Sequence, residues 1–280
     1  MIPQQGFDKV RMHNEFESDL TKRHPEILLQ IKNKQPFFLF LDYNQVHTNL
    51  VKDVIKKYTD FDKEYFDNRE KNYAYYVELV KKSGEYLKMM IEKLKELGLY
   101  DNTILLVFSD HGCSTGDRFG EKVYGVYLYD YTIRTFLYMI GKGLPKNVEV
   151  NNLARSVDFL PTVLDMLKIP ANHDKKYKKM HGESLLNMLN GAKDDRIAYS
   201  ETGGLGGPTP SPEVHNVKCV RDSKWKLVYN LATKKKELYN LERDPKEENN
   251  LTGKEPEVEN YLWNEMQNLD AGFKKELAEY

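Results

Sequence analysis

Three short runs of apolar residues lie in the first half of the chain, each followed by polar residues. They cover residues 36–43, 104–108 and 135–140, and they are apolar at consecutive positions instead of at every second one. A strand that is buried on both faces of a parallel sheet has this continuous pattern. The sequence therefore predicts three buried strands that belong to one sheet.

A long helical pattern separates the first two of these strands. Between Arg69 and Leu97, apolar residues recur at steps of three and four, and lysines and glutamates occupy the other face. Gly98 follows at a position that favours the end of a helix. A strand–helix–strand order implies a right-handed crossover between parallel strands. We therefore expect an α/β fold with a mostly parallel sheet flanked by helices.

The hydrophobic pattern changes after about residue 200. Apolar and polar residues alternate at hairpin spacing in segments 217–221, 225–229 and 236–241. Helical periodicity returns near the C-terminus, over residues 257–277. These patterns predict a small antiparallel sheet and a closing helix. We assign residues 1–205 to the α/β domain and residues 206–280 to a small C-terminal subdomain.

The composition is that of an ordinary globular protein. The 280 residues are 40% hydrophobic and 30% charged, with a formal net charge of −1. This charge balance predicts no nucleic-acid partner, and no apolar stretch reaches the roughly 18 residues that span a bilayer. The chain has only two cysteines, Cys113 and Cys219, and its first residues lack the apolar region of a signal peptide. We therefore expect a reducing compartment, which is the cytoplasm.

Polar residues that suit metal binding or proton transfer follow the second predicted strand. Asp110, His111 and Gly112 stand at its carboxyl end, which is the edge where α/β sheets bind ligands. A carboxylate beside an imidazole suits a divalent cation or acid–base chemistry, although a polar loop has the same composition. His47 follows the first predicted strand and has the same two readings, a site residue or an ordinary loop residue.

A long polar loop connects the Asp-His pair to the third predicted strand. Residues 113–122 are polar and contain several glycines, as is typical of functional loops. We interpret Cys113 as an ordinary member of this loop. Asp130 and Arg134 are four residues apart beyond it, so they either pair with each other or help to build the loop.

Five segments of the chain occur in an order that is known from one family. They are PFFLFLDYNQVH, LGLYDNTILLVFSDHG, LYDYTIRTFLYMI, SVDFLPTVLDMLKIP with HGESLLNML, and KWKLVYNL with KELYNLERDPKEENNL. Together they span roughly residues 36–270 and resemble the C-terminal part of a sulfatase, in the alkaline phosphatase superfamily. The resemblance implies the α/β fold of that superfamily, in an incomplete form.

The resemblance also implies a metal-dependent sulfuric ester hydrolase of the arylsulfatase kind. Asp110 and His111 would be two ligands of a divalent metal, Ca²⁺ in most of the family, with Mn²⁺ or Mg²⁺ as alternatives. His47 would contact the ester oxygens. Lys122 is the candidate in the loop for the lysine that holds the sulfate, although the spacing in the family places that lysine at Gly125. The substrate would be a sulfate-ester or phosphate-ester small molecule or glycan.

The sequence departs from the family pattern in one respect. Its 280 residues contain neither the paired aspartates that end an N-terminal strand nor the Cys/Ser-x-Pro/Ala-x-Arg segment whose first residue becomes formylglycine. Ester cleavage by this route needs an activated oxygen nucleophile. We therefore expect a truncated or split chain that is inactive alone, and that pairs with a separately encoded N-terminal half or forms a homo-oligomer.

Two alternatives stay open at this point. The first is a phosphodiesterase, a phosphonate hydrolase or a phosphoethanolamine transferase of the same superfamily, because these enzymes share the Asp-His metal pair. The second is a non-catalytic partner subunit or a degenerate remnant that keeps the fold without the chemistry.

Overall fold

The computed structural model of the chain describes residues 7–14, 16–53, 63–170, 180–189, 191–192, 196–203 and 216–278. Within these ranges the helices are α1 (Leu20–Ile31), α2 (Gln45–Asp53), α3 (Lys63–Asp67), α4 (Arg69–Glu96), α5 (Asp130–Ile133), α6 (Phe159–Met166), α7 (Leu186–Leu189) and α8 (Pro256–Ala278). The strands are β1 (Leu105–Phe108), β2 (Leu137–Ile140), β3 (Ala198–Thr202), β4 (Val217–Arg221), β5 (Trp225–Asn230) and β6 (Lys235–Asn240). Short 3₁₀ turns cover Tyr100–Asn102 and Ser156–Asp158.

Helix α4 confirms the long helix that the periodicity predicts. Its buried side chains Met90 and Leu94 form a cluster with Leu28 of α1 and with Leu99. Gly98 ends the helix in the left-handed region, at φ +67°. This conformation allows the amide of Leu99 to donate to the carbonyl oxygen of Leu94, at 2.9 Å, which satisfies a carbonyl that would otherwise lack a partner.

The segment 36–43 is not a strand, so the first predicted strand is wrong. Three alternate side chains, Phe37, Leu39 and Leu41, pack against the cluster of α1 and α4, whereas Phe38 between them is exposed. The segment is buried on one side by helices and has no strand assigned to it. A continuous apolar run indicates burial, but it does not identify the hydrogen-bonding partner of the backbone.

Strands β1 and β2 confirm the other two predicted strands, but their relative direction differs from the prediction. They pair antiparallel, with Leu105 opposite Ile140 and Phe108 opposite Leu137. The mostly parallel arrangement is therefore not found in the strands described here. A crossover between parallel neighbours usually contains a helix that packs on the sheet, whereas the chain between β1 and β2 contains only the four-residue helix α5 and returns as a loop.

The C-terminal part confirms the predicted antiparallel sheet and closing helix. The sheet has the order β3-β4-β5-β6, and every pair is antiparallel. Val220, Leu227 and Leu238 of the sheet pack against Leu262 and Met266 of α8, and all five side chains are buried. The alternation of these strands places one face of the sheet on the helix.

The edge strand β3 lies before the boundary at residue 205 that the sequence suggests. It pairs with β4 over five residue pairs, from Ala198 with Arg221 to Thr202 with Val217. The boundary itself falls within residues 204–215, outside the described residues. The four-stranded sheet thus draws one strand from the segment that was assigned to the first domain.

A buried network of charges joins α5 to the C-terminal sheet. Lys226 Nζ lies 2.9 Å from Asp130 Oδ1 and 2.8 Å from Glu247 Oε1. The second carboxylate oxygen of Asp130 accepts from Arg221, at 2.8 Å. Although burial opposes ionisation, Lys226 and Arg221 lower the pKa of the Asp130 carboxyl. Asp130 therefore helps to build its loop and joins that loop to the sheet.

None of the helices in the described ranges is long and apolar enough to cross a bilayer.

Candidate active site

Asp110 and His111 lie directly beyond β1, in a turn that is held against α5. The amide of Gly112 donates to the carbonyl oxygen of Thr132, at 2.7 Å. A Cβ atom on Gly112 would overlap the backbone carbonyl of Tyr131. Only glycine allows this close approach, and the approach determines where the two preceding side chains lie.

The imidazole of His111 has a defined arrangement of donor and acceptor nitrogens. Its Nδ1 lies 2.7 Å from the carbonyl oxygen of Gly112, and a carbonyl can only accept, so Nδ1 carries the proton. In the neutral ring Nε2 then keeps its lone pair. Nε2 lies 3.6 Å from Oδ2 of Asp110, and the side chains of His111 and Asp110 are 39% and 84% exposed. The lone pair and the carboxylate can thus face one cation.

His47 reaches the same place from a different part of the chain. It lies in α2, not in a loop, and its Nδ1 is 3.0 Å from the hydroxyl oxygen of Tyr124. The ring centroid of Tyr124 is 4.2 Å from that of His111, with the planes tilted by 39°. Tyr124 therefore contacts both histidines and brings His47 to the Asp110–His111 pair.

Tyr124 is the site residue that the sequence did not reveal. The chain contains 19 tyrosines, so the residue type carries no signal. The only hint is its position directly before Gly125, where the family places a lysine. Its contacts with His47 and His111 identify it.

The backbone on both sides of Tyr124 is anchored. The carbonyl of Val123 accepts from the amide of Ser114 at 2.6 Å, and the carbonyl of Gly125 accepts from the hydroxyl of Thr202 at 2.7 Å. Gly125 adopts a left-handed φ of +93°, which a larger residue would resist. These bonds hold Tyr124 between the loop after β1 and the end of β3.

Lys122 lies two residues before Tyr124 in the same loop. Its backbone carbonyl accepts a hydrogen bond from the hydroxyl of Tyr65. Neither Lys122 nor His47 lines the large cleft that contains Asp110 and His111. The role of Lys122 as a sulfate-binding residue stays a prediction.

The cleft beside the Asp-His pair is large and open. It has a volume of about 1600 Å³ and extends from Asp110 and His111 to the C-terminal sheet and helix. Arg221, Tyr199 and Phe273 are among the residues that line it. Both polar and aromatic side chains therefore line the cleft.

Asp110 and His111 offer two of the ligands that a divalent cation needs. A carboxylate oxygen is a hard ligand, and a neutral imidazole nitrogen suits Mn²⁺ and other transition metals as well. Among the described residues, no group of three or more His, Cys, Asp or Glu side chains is placed to hold a metal. Asp110 and His111 thus fit as two ligands, and other groups must supply the rest of the coordination shell.

Neither cysteine has the character of a nucleophile. Cys113 and Cys219 are both free thiols. Burial raises the pKa of the Cys113 thiol to about 12 and that of Cys219 to about 11. A thiol with such a pKa is protonated at neutral pH and unreactive, as the interpretation of Cys113 as an ordinary loop residue requires.

Comparison with protein families identifies the class of the protein. The sulfatase family model matches residues 3–169, and the model for the C-terminal part of N-sulphoglucosamine sulphohydrolase matches residues 122–272. The first match covers more than half of the chain, so the chain belongs to the sulfatase family.

Human N-acetylglucosamine-6-sulfatase is one of its curated relatives. The two are 29% identical over 154 residues, which are 52% of this chain and 27% of the human protein. The chain spans less than a third of the length of the curated relatives that it matches first.

Solved sulfatase structures share the fold. A sulfatase from Bacteroides thetaiotaomicron VPI-5482 matches 96% of this chain and 67% of its own, with a TM-score of 0.66 and 17% identity. BT4656, solved with its substrate D-glucosamine-2-N,6-O-disulfate, matches 71% of this chain and 40% of its own, with a TM-score of 0.56 and 22% identity. These similarities confirm the predicted α/β fold of the sulfatases.

Proposed function

We propose that this chain carries part of the active site of a metal-dependent sulfuric ester hydrolase. One observation carries the proposal: two histidines from separate segments, His47 and His111, meet at Tyr124, and the carboxylate of Asp110 lies beside His111. Membership of the sulfatase family supports the ester chemistry, and this arrangement supports the choice of residues.

Each of these residues has a distinct role in the proposal. Asp110 and His111 hold a divalent cation, Ca²⁺ or alternatively Mn²⁺ or Mg²⁺. When bound, such a cation neutralises charge on the oxygens of the ester. His47 donates a hydrogen bond to one of those oxygens, which stabilises the charge that develops there. Lys122 supplies a second cationic contact to the ester.

The proposed substrate is a sulfate ester of a sugar. The human relative is a glucosamine sulfatase by name, and BT4656 was solved with a sulfated glucosamine. The cleft beside Asp110 supports this substrate, because the rings of Tyr199 and Phe273 provide apolar surface for a sugar ring. A phosphate ester is the alternative, since it presents similar oxygens.

We also propose that the 280 residues alone do not hydrolyse the ester and that a further sulfatase segment supplies the nucleophile. The support is the lack of a Cys/Ser-x-Pro/Ala-x-Arg segment in the sequence. Phe108 and Tyr138 on the β1–β2 pair and Phe136, directly before β2, are also exposed, and apolar surface of this kind is typical of an interface. Size-exclusion chromatography of the chain, alone and with an N-terminal sulfatase half, distinguishes such a partner from a homo-oligomer or a monomer.

A cytoplasmic location is proposed from the two free cysteines. Cell fractionation with an antibody against the chain tests it, and recovery only from a secreted fraction would contradict it.

Calorimetric titration with Ca²⁺, Mn²⁺ and Mg²⁺ tests the metal site. We expect Asp110→Ala to weaken cation binding by about tenfold or more without a change in folding, because the side chain is largely exposed. Asp101→Ala removes another exposed carboxylate close to β1 and is the matched control. Equal binding by wild type and Asp110→Ala would refute the assignment.

Turnover of an aryl sulfate and an aryl phosphate tests the reaction. We expect none from the chain alone, and sulfate hydrolysis when an N-terminal sulfatase half is added. Robust turnover by the chain alone that Asp110→Ala abolishes would disprove the need for another segment. Faster hydrolysis of the aryl phosphate than of the aryl sulfate would show that phosphate esters are the substrate class.

A further inference from the structure

The side chain of Tyr124 contacts both histidines of the proposed site. Its hydroxyl is 3.0 Å from Nδ1 of His47 and its ring lies 4.2 Å from that of His111. We propose that Tyr124 is a positioning residue that fixes His47 in the tautomer with its proton on Nε2, ready to donate to an anionic ester oxygen. This inference rests on the proposed function, because it assigns a role within the same site.

The tautomer follows from the hydrogen-bonding character of the two groups. A phenol hydroxyl is a better donor than acceptor, and an imidazole nitrogen without a proton accepts readily. When Tyr124 donates to Nδ1 of His47, the neutral ring must carry its proton on Nε2. His47 then presents an N–H group, which suits an anion and not a cation.

The two histidines are thereby given opposite roles. His111 holds its proton on Nδ1 through the Gly112 carbonyl and keeps a lone pair on Nε2 for a cation. His47 has its lone pair occupied by Tyr124 and keeps a proton on Nε2 for an anion. These opposite roles suit a site that holds a cation beside an anionic ester.

Tyr124 is rigid enough for this purpose. The carbonyls of Val123 and Gly125 are both hydrogen bonded, and the ring packs against the cluster of Leu50, Leu79 and Val123. A group that is held in place before the ligand arrives contributes more to binding and catalysis than a mobile one.

Nitrogen-15 NMR of the histidine-labelled chain, at a pH where the rings are neutral, reads the tautomers directly. We expect the proton on Nε2 in His47 and on Nδ1 in His111. Spectra of His47→Gln and His111→Gln assign the signals. A proton on Nδ1 of His47 in the wild type overturns the proposal, and this measurement needs no variant of Tyr124.

Tyr124→Phe removes the hydroxyl and keeps the ring. We expect His47 to become a mixture of tautomers and His111 to stay unchanged. Tyr127→Phe is the matched control, because the hydroxyl of Tyr127 donates to the backbone carbonyl oxygen of Phe119, at 3.0 Å, in the same loop. A His47 spectrum that is identical in Tyr124→Phe and wild type contradicts the proposal, since a merely structural tyrosine would leave the tautomer as it is.

Titration with inorganic sulfate tests whether Tyr124 contributes to anion binding. We expect Tyr124→Phe to weaken sulfate binding by roughly threefold to tenfold, as for the loss of one oriented hydrogen bond, and Tyr127→Phe to leave it unchanged. Unaltered sulfate affinity in Tyr124→Phe refutes the role in anion binding. These readouts do not depend on turnover, so the tautomer can be confirmed even where ester hydrolysis fails.

Discussion

The ammonium of Lys226 lies 2.9 Å from the carboxylate of Asp130, although 96 residues separate them in the sequence. The same ammonium lies 2.8 Å from Glu247, and its own side chain is fully buried. Lys226 thus compensates the buried carboxylate of Glu247 and shares that of Asp130 with Arg221, at the junction between α5 and the C-terminal sheet.

Lys226→Met is expected to lower the unfolding free energy by about 3 to 5 kcal/mol, because it leaves Asp130 and Glu247 without their common counter-charge. Urea denaturation at pH 7 measures the loss. Lys224→Met is the matched control: Lys224 forms an exposed pair with Glu242 at 3.5 Å, and such pairs contribute less than about 1 kcal/mol. Similar losses in the two variants would contradict the importance of the network.

Acid is expected to destabilise the fold through His24. This side chain is 3% exposed and is hydrogen bonded to the hydroxyl of Tyr86 at 2.5 Å. Burial, with the charges of His13 and Arg23, lowers its pKa from 6.5 to about 4. Between these two values the unfolded chain binds the proton and the folded chain does not, so stability falls as the pH is lowered through this window.

The contribution of His24 is expected to be roughly 2 to 3 kcal/mol between pH 7 and pH 4. The unfolding free energies of the wild type and of His24→Gln at pH 7, 5.5 and 4 isolate this contribution, because glutamine does not titrate. The wild type should lose stability more steeply than the variant. Parallel losses in the two proteins would show that His24 is not responsible.

Gly182→Ala is expected to destabilise the protein by roughly 1 to 3 kcal/mol. A Cβ atom at this position would overlap the backbone carbonyl of Val157. The close approach allows the next amide, that of Glu183, to donate to the buried carboxylate of Asp158 at 2.9 Å. Thermal or urea denaturation measures the loss of stability.

Gly84→Ala is the control for that substitution. Gly84 lies within α4, and a Cβ atom there would meet open space. We expect a gain of about 0.5 to 1 kcal/mol, because alanine favours the helix. A loss of stability in Gly182→Ala together with a gain in Gly84→Ala supports the close packing at Gly182, whereas a gain of stability in both variants would contradict it.

His111→Asp is expected to change the metal preference of the proposed site. With one imidazole and one carboxylate, the wild type should bind Mn²⁺ as well as Ca²⁺, and a second carboxylate should raise the affinity for Ca²⁺ relative to Mn²⁺. Calorimetric titration with each cation gives the ratio of affinities. His181→Asp is the control, because His181 lines the same cleft but pairs with Glu276 at 2.9 Å. An unchanged ratio in His111→Asp would exclude His111 as a ligand.

The elements with strong local patterns were predictable from the sequence. Helices α4 and α8 and strands β4 to β6 occur where periodicity places them, and β1 and β2 occur where continuous apolar runs predict strands. The run at 36–43 misled the prediction, because its apolar side chains pack on helices instead of joining a sheet. The antiparallel direction of β2 also escaped prediction, since strand direction depends on the path of the connecting chain.

For the site, the sequence by itself determined that Asp110, His111 and His47 were candidates, because polar residues follow apolar runs and resemble the segments of one family. Only the tertiary structure decided that His47 belongs to a helix and meets His111 at Tyr124, and that Asp130 pairs with Lys226. Local periodicity depends on neighbours within a few residues, whereas these contacts join side chains 77 and 96 positions apart. Such contacts exist only once the whole chain has packed.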